Sequence, residues 1–362
     1  MHIGIVELCE KNHHSMIFNW IKLANIKKCK VTLFTTKEIF NNVKKELSGL
    51  KYKVEIKETN DFFFQIKINK LIKKKKINKL IYLTICNFLV YLFIPLKTIN
   101  LGITIHNANT WFNKSNIVKF RHYLKRLIIL KLKREASFFI VNSKNMKSFI
   151  DHNYPEVKPI YILPFSLKKN VSKFNILKNK TFTTIYPGSI NHTKRKYENF
   201  IKLAILNPED NFVVLGNTRK TDVDISIYEQ MKKISNIKLY DQYIDIKNFN
   251  KVIKESHLLF SDIIVNYKSS DISEIYGQSK DSGISYLMNE FNLPCLLNSN
   301  FLNFTELRNG SLYFENFSKM YKLYSKIKKN NKHRLSLMKK IKNDTKNFTV
   351  KNYSQKLNKI FT

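Results

Sequence analysis

Residues 182–197 read Phe182-Thr183-Thr184-Ile185-Tyr186-Pro187-Gly188-Ser189-Ile190-Asn191-His192-Thr193-Lys194-Arg195-Lys196-Tyr197. A β-rich run over Phe182–Tyr186 stops at a glycine and gives way to a polar loop. Two basic residues then open a helical run expected over Arg195–Leu206. Strand, glycine loop and helix in this order form the repeating unit of a doubly wound parallel sheet. Backbone N–H groups and the helix dipole favour an anion at such a helix start. Gly188 and Ser189 are therefore candidates for close approach to a phosphate, with Arg195 and Lys196 as a clamp on a diphosphate. A solvated basic loop accounts for the same stretch equally well.

The unit recurs on both sides. Downstream, β-rich runs at Asn211–Leu215, Asn236–Tyr240, Leu258–Ile264 and Leu293–Leu297 alternate with helical runs at Ile225–Ile234, Ile246–Glu255 and Gly283–Phe291. Upstream, strands are expected at His2–Glu7, Lys30–Thr35, Tyr52–Lys57, Lys79–Ile85, Asn100–Ile105, Ser137–Val141 and Pro159–Leu163. Helical runs such as His14–Ile26, Lys37–Leu47 and Ser143–His152 lie between them, and Ser143 is placed as an N-cap. Such alternation means parallel strands joined by right-handed crossovers. The expected architecture is α/β, with two doubly wound Rossmann-like domains facing a cleft. The first spans 1–165, a lysine-rich linker covers 166–180, and the second spans 181–330. A basic helical tail, 331–362, is expected to pack back toward the first domain.

With 362 residues, 43% hydrophobic and 13% aromatic, the chain can bury two cores, which excludes wholesale disorder. Only 8 Gly and 7 Pro exclude collagen-like and linker-like chains. Four scattered cysteines, Cys9, Cys29, Cys86 and Cys295, suggest neither a zinc site nor a disulfide framework, and fit a reducing cytosolic compartment. The opening residues run directly into a strand, so no secretory leader is expected. The apolar stretch Leu80 to Leu96 is at the lower limit for a membrane span and reads better as a buried strand followed by a short helix.

Lys+Arg number 64 against 27 Asp+Glu, giving +37. That charge suits nucleic acid, an anionic membrane face, or nothing beyond a lysine-, asparagine- and isoleucine-rich composition. No zinc finger, RNP-like aromatic set or Arg-rich arm supports nucleic acid. Two segments favour a membrane surface. Lys73–Lys76 follows the apolar run that begins at Phe62-Phe63-Phe64. From Asn116 to Glu135, Lys119, Arg126 and Lys133 form a basic stripe beside apolar residues at helical spacing. Both are expected on one side of the first domain, near the cleft mouth.

Three further stretches carry chemistry. Glu274-Ile275-Tyr276-Gly277-Gln278-Ser279-Lys280-Asp281-Ser282-Gly283 places a carboxylate, two glycines and a lysine on a loop before a helix. Backbone can approach a sugar phosphate there, and Glu274 can accept hydrogen bonds from hydroxyls; a structural turn is the plainer alternative. In Thr104-Ile105-His106-Asn107, His106 follows a strand end, where side chains reach a ligand crevice. His13-His14 follows the first strand in the same way, though a lone histidine is more often structural. Asp222-Val223-Asp224 spells a metal-binding motif but sits at a helix start, where capping is the better reading. No GxSxG, HExxH or P-loop occurs.

Taken together, these stretches resemble GT-B glycosyltransferases, specifically the bacterial group-1 family that assembles lipopolysaccharide, O-antigen and capsule. The resemblance covers nearly the whole chain and is strongest from Phe182 to Leu297. It implies that Lys196, with Arg195, binds the donor diphosphate, together with Gly188 and Ser189. It assigns Glu274 to the donor sugar, with Tyr276, Gly277, Lys280, Ser282 and Gly283 around the donor. His106 would lie beside the transferred sugar, and His14 and Asn107 would face the acceptor. The family's second glutamate would fall at Ser282 or Leu287, neither of which is acidic. Its Gly-Gly loop after the first strand is replaced by Glu10-Lys11-Asn12-His13-His14. The activity that the resemblance implies is sugar transfer from a nucleotide-diphosphate sugar to a hydroxyl of a glycan acceptor, lipid-linked in surface-polysaccharide assembly. No metal and no cofactor are expected. The protein would be cytoplasmic, peripheral on the inner face of the membrane, and would have no nucleic-acid partner. The alternatives are a GT-B-like sugar-nucleotide epimerase and a basic nucleic-acid-binding protein.

Overall fold

The computed structural model describes residues 1–11, 13–93, 100–113, 120–168, 181–217, 224–242, 244–269 and 272–361. The chain divides into two compact units. Unit 1 comprises Met1–Lys169, Ser270–Ile272 and Phe348–Thr362; unit 2 comprises Asn170–Ser269 and Ser273–Asn347.

Unit 1 is built on a seven-stranded sheet of β1 (His2–Glu7), β2 (Lys30–Thr36), β3 (Lys53–Lys57), β4 (Lys79–Tyr82), β5 (Asn100–Thr104), β6 (Phe138–Val141) and β7 (Ile160–Ile162). Its order is β3-β2-β1-β4-β5-β6-β7, and every pairing is parallel. Unit 2 follows with β8 (Thr183–Pro187), β9 (Asn211–Asn217), β10 (Ile237–Tyr240), β11 (Leu258–Ser261), the two-stranded pair β12 (Asn266–Ser269) and β13 (Ile272–Ile275), β14 (Cys295–Asn298) and β15 (Ser311–Phe314). The six-stranded sheet runs β10-β9-β8-β11-β14-β15, again with every pairing parallel. The expected pair of doubly wound α/β domains is present. In each sheet the order reverses beside the first strand, at β1/β4 and at β8/β11. Ligands bind at the carboxyl ends of strands at such reversals.

Burial on both faces explains the apolar strand runs. In β1, Ile3 and Ile5 enter the cluster around Trp20 and Ile17, while Val6 joins Phe64 and Ile68 on the opposite face. This is the two-residue side-chain period of a strand. In β8, Ile185 and Tyr186 divide in the same way between the two cores of unit 2. Helices His14–Ile26 and Gly283–Phe291 lie where the sequence puts them, and Asn292 closes the second in a left-handed turn at φ 54. Ser143 accepts from the Met146 N–H as an N-cap. Asp224 caps the helix Ile225–Lys232; the other two members of its motif lie outside the described residues. The apolar stretch from Leu80 resolves into β4 and the short helix Val90–Phe93, with 94–99 outside the described residues. No helix among the described residues is long and apolar enough to cross a membrane.

Two expectations need correction. The basic tail does not leave unit 2 at residue 331. Helix Asn331–Asp344 buries Leu337, Met338 and Ile341 in the unit 2 cores, and Ile341 covers the face of Gly310. The chain crosses at Phe348, whose carbonyl accepts from the Lys168 N–H at 2.8 Å. Val350, Tyr353, Leu357 and Ile360 then complete the core around Trp20. The expected linker 166–180 is described only as far as Lys168. The cysteines also differ from expectation, because Cys9 and Cys86 form a disulfide just beyond the carboxyl ends of β1 and β4. Their sequence separation of 77 hides a Cα–Cα distance of 6.1 Å, which two adjacent parallel strands create. The cysteine-based argument for a reducing compartment therefore loses its basis.

Unit 2 contains an acid-sensitive lock. His257 lies just before β11; its Nδ1 accepts the Thr183 N–H at 3.0 Å and its ring stacks on Phe182 at 5.0 Å. Burial, with Arg334 nearby, lowers its pKa to about 4. The unfolded chain then binds the proton more readily than the folded one between pH 6.5 and 4, so stability falls as pH drops through that window. We expect a loss of about 2–3 kcal/mol there. His257→Gln should flatten the pH dependence of the melting temperature over this range, and equal slopes for both proteins would refute the assignment.

Candidate functional site

In unit 2 the loop after β8 is shaped by close approach. Gly188 adopts φ +105, and a Cβ there would lie 2.3 Å from Arg195 Nη2. The guanidinium thus lies over the glycine, and its Nη1 donates to the Ser189 carbonyl at 3.0 Å. Behind it, a Cβ on Gly216 of β9 would meet the Gly188 carbonyl carbon at 2.3 Å. Arg195 is half-buried and pairs with Ile263, while the Lys196 N–H donates to the Asp262 carbonyl at 2.8 Å. This pairing holds both basic residues in extended backbone, so the helix starts at Glu198 rather than at Arg195. Glu198 also accepts from the Tyr197 N–H at 3.1 Å. The chain's own carboxylate occupies the anion position that the sequence reading gave to a ligand. The Lys196 residue is exposed.

A second helix start on the same sheet edge has its nearest carboxylate just before the cap, where Asp281 Oδ2 accepts from the Tyr286 hydroxyl at 2.8 Å. Helix Gly283–Phe291 leads to Pro294, whose carbonyl accepts from Leu259 near the start of β11. Its N-terminus therefore lies toward the carboxyl ends of the strands. Ser282, one of the two positions that the resemblance gave for a second glutamate, caps this helix by accepting from the Ile284 N–H. No acidic residue occupies the first turn. Gly283 is exposed, and a Cβ built on it meets no atom within 4 Å. Ser282 takes the Ile284 N–H with its hydroxyl and the Ser285 N–H with its carbonyl, so what is open to an anion here is the space at Gly283.

The stretch before it is rigid. Glu274 lies on β13 rather than on a loop, only 1% exposed, with Oε2 accepting from Ser279 Oγ at 2.6 Å. The same hydroxyl oxygen accepts from the Ile275 N–H at 2.7 Å. Gly277, at φ +86, donates its N–H to the Lys280 carbonyl, and a Cβ there would lie 2.3 Å from the Leu302 carbonyl oxygen. Lys280 Nζ sits 5.7 Å over the Tyr276 ring. Burial pushes the Tyr276 hydroxyl up to about 12, partly offset by the positive charge of Arg195. The fold thus brings Arg195, Tyr276, Gly277 and Lys280 into one neighbourhood. Glu274 lies buried near Tyr276.

Unit 1 presents a different chemistry at its own strand reversal. Glu7, fully buried at the end of β1, accepts from the N–H groups of Cys9 at 2.9 Å and Glu10 at 3.1 Å through Oε1. Its Oε2 accepts from His13 Nδ1 at 2.8 Å and Thr84 Oγ1 at 2.8 Å. Burial alone would raise the Glu7 pKa, but the hydrogen bond and charge of His13 and the two backbone N–H groups outweigh it, so the carboxyl is held below its ordinary range. The His13 ring lies 5.0 Å from that of His106 and 5.3 Å from that of Phe165. His106 Nε2 is hydrogen-bonded to the Leu83 carbonyl at 2.8 Å. His14 opens its helix half-buried, and Asn107 precedes helix Ala108–Phe112 without capping it. The sequence reading missed Glu7 and Thr84 and ranked His13 low. The available signal was an acidic residue closing the apolar strand Ile3–Val6, six positions before a histidine.

The basic segment Lys73–Lys76 does not share an edge with this cluster. The Lys75 carbonyl is hydrogen-bonded to His2 at the start of β1, which places Lys73–Lys76 at the opposite strand edge from Glu7. Lys119 lies outside the described residues, and Lys133 Nζ sits 5.0 Å over the Phe112 ring rather than on a uniform solvated stripe. Exposed Phe62, Phe63 and Leu89 are found instead near the strand ends that carry Thr84, where Asn87 Nδ2 donates to Asp61 Oδ2 at 2.9 Å.

The architecture has solved counterparts. Sucrose-phosphate synthase from Thermosynechococcus elongatus aligns over 100% of this chain and 98% of its own, at 10% identity and a TM-score of 0.68. Anabaena HepE in complex with UDP aligns over 99% of both chains, at 11% identity and a TM-score of 0.66. The chain has the GT-B fold. UDP-GlcNAc 2-epimerase from Neisseria meningitidis, bound to UDP-GlcNAc, also shares it, over 99% of both chains at 11% identity and a TM-score of 0.57. No family model and no curated protein matches the sequence.

Proposed function

We propose that this GT-B protein is a glycosyltransferase, moving a sugar from a nucleoside-diphosphate sugar to a hydroxyl of a glycan acceptor. The observation that carries the donor half is the helix start at Ser282–Gly283, with no acidic residue in its first turn and open space at Gly283, at the carboxyl edge of a doubly wound sheet. A diphosphate leaving group there is stabilised by backbone N–H groups, with Arg195 and Lys196 supplying positive charge, and the reading needs no metal or cofactor. That GT-B neighbours are held with UDP or a UDP-sugar supports this donor class.

Glu7 and His13 carry the acceptor half. When its Nδ1–H is given to the buried carboxylate, the His13 ring turns Nε2 to the acceptor, the arrangement of a general base. His13 takes the acceptor proton, the acceptor oxygen bonds to the sugar C1, and the bond from C1 to the diphosphate oxygen breaks. His106, beside His13, orients the acceptor. A base on the attacking hydroxyl suits direct displacement with inversion, in keeping with the missing second glutamate.

The acceptor in this reading is a lipid-linked surface glycan of the lipopolysaccharide or O-antigen kind, met by a peripheral enzyme at the cytoplasmic membrane face. Phe62, Phe63 and Leu89, exposed at 39%, 58% and 53%, supply the apolar contact. Co-sedimentation with anionic vesicles, compared with Phe62→Ser/Phe63→Ser, decides that point.

A thermal-shift panel of UDP-, GDP-, dTDP-, CMP- and ADP-sugars tests the donor half. At 100 times its dissociation constant, the true donor should add about 2.7 kcal/mol. No shift with any member removes the donor reading. Donor-dependent appearance of an epimer without any acceptor would move the protein to the epimerase class, to which some neighbours of the fold belong.

A further inference from the structure

The disulfide lies at the Glu7 cluster, not at random on unit 1. Cys9 stands two residues beyond Glu7 and gives its own N–H to Glu7 Oε1, and Cys86 stands two residues beyond Thr84, which donates to Oε2. The bridge therefore joins the two loops immediately past the groups that hold the carboxylate. It adds little to the sheet itself, since β1 and β4 already pair from Ile3↔Lys79 to Val6↔Tyr82, with one more bond from the Leu83 N–H to the Val6 carbonyl. What it constrains is the backbone beyond the end of that ladder. Cys86 is exposed and Cys9 is half-buried, so a small thiol or disulfide can reach them. The other two cysteines, Cys29 and Cys295, are free and buried.

We infer that Cys9–Cys86 is a redox-controlled clamp on the Glu7–His13 pair. Closed, it fixes the loops after β1 and β4 so that Glu7 holds His13 in place. Open, it lets the loops part and slows the acceptor step. The inference rests on the acceptor reading of unit 1. Opening consumes two electrons from a dithiol reductant. One reductant thiolate attacks a bridge sulfur, breaking the S–S bond and releasing one protein thiolate as a mixed disulfide forms; the reductant's second thiol then attacks that disulfide and releases the other protein thiolate. The products are two protein thiols and the reductant's cyclic disulfide. Closing oxidises the two thiols with glutathione disulfide and yields two glutathione thiols. Exposed disulfides of this kind are the labile ones.

The test compares bridged protein, dithiothreitol-reduced protein and Cys9→Ser. Alkylation of the unfolded bridged protein should label Cys29 and Cys295 and spare the other two; labelling of all four overturns the proposal. Hydrogen exchange at the Cys9 and Glu10 amides should rise at least about tenfold on reduction. Exchange over 276–284 should not change, and Cys9→Ser should show the fast pattern in both redox states. Equal protection in both states overturns the clamp whether or not transfer is seen. With a donor and acceptor in hand, kcat should fall at least about tenfold on reduction while KM for the nucleotide-sugar holds. A bridge that is merely structural would lower the melting temperature without that split, and an unchanged kcat overturns the link to the acceptor step. Absence of transfer in both states counts against the function proposed above, and the exchange result still decides the clamp.

Discussion

His13→Ala should lower kcat for sugar transfer by about 100- to 10,000-fold, the usual span for loss of a general base. Affinity for the free nucleoside diphosphate should hold, because the ring belongs to unit 1 and the backbone proposed to bind phosphate belongs to unit 2. Glu7→Gln should be nearly as damaging. The Cys9 and Glu10 N–H groups keep the amide oxygen on the Oε1 side, which turns the amide NH2 toward His13 Nδ1. Two donors cannot face one another, so the ring must move its proton to Nε2 and lose the lone pair that accepts from a hydroxyl. Steady-state kinetics with a common donor checks both variants, with His14→Ala as the comparison. Full activity in His13→Ala would end the role given to this pair.

The second large effect is expected at Gly283. Gly283→Glu should leave the melting temperature unchanged or slightly raised, since the site has room for a side chain and an acidic residue suits the first turn of a helix. The same carboxylate would occupy the space proposed for phosphate and repel it. Nucleotide affinity should fall by about 100-fold or more, given that charge-assisted contacts contribute about 1.5–3 kcal/mol each. Calorimetry with the nucleoside diphosphate reads this directly. Undiminished binding by a well-folded Gly283→Glu would place the donor elsewhere. Gly277 offers no such separation of binding from folding, because any Cβ there strikes the Leu302 carbonyl.

The architecture was legible because buried parallel strands are continuous apolar runs, and Ile3–Val6 or Leu258–Phe260 can hardly be anything else. Helices showed in their caps, as at Ser143 and Asp224. The two-stranded pair β12–β13 escaped because its residues, such as Asn266, Lys268 and Ser273, carry no apolar alternation. The sites were less legible for a related reason. Glycine loops mark where backbone approaches backbone, so Gly188 and Gly277 were found, but their tightness proved to serve Arg195 and Leu302 within the chain itself. The Glu7–His13–Thr84 cluster and the Cys9–Cys86 bond depend on β4 lying beside β1. That adjacency comes from the crossover, and nothing in the local spacing of either segment announces it.

The return of the chain to unit 1 at Phe348 bears on how the protein is made. Trp20 and Ile21 face a groove that Val350, Tyr353, Leu357 and Ile360 fill, with the Phe361 ring 6.2 Å from Trp20 and Lys79 Nζ donating to the Ile360 carbonyl. A ribosome delivers the β1–β7 layer long before those residues leave the exit tunnel. Through the synthesis of all of unit 2, the earlier half must wait with an apolar face uncovered and a buried lysine short of its acceptor. Vectorial folding, N-terminal half first, is thus blocked at its final step, and the nascent chain is at its stickiest while still tethered. Holdase chaperones should crowd onto it during that interval. A stop codon that removes Phe348 onward would turn this passing condition into a permanent one.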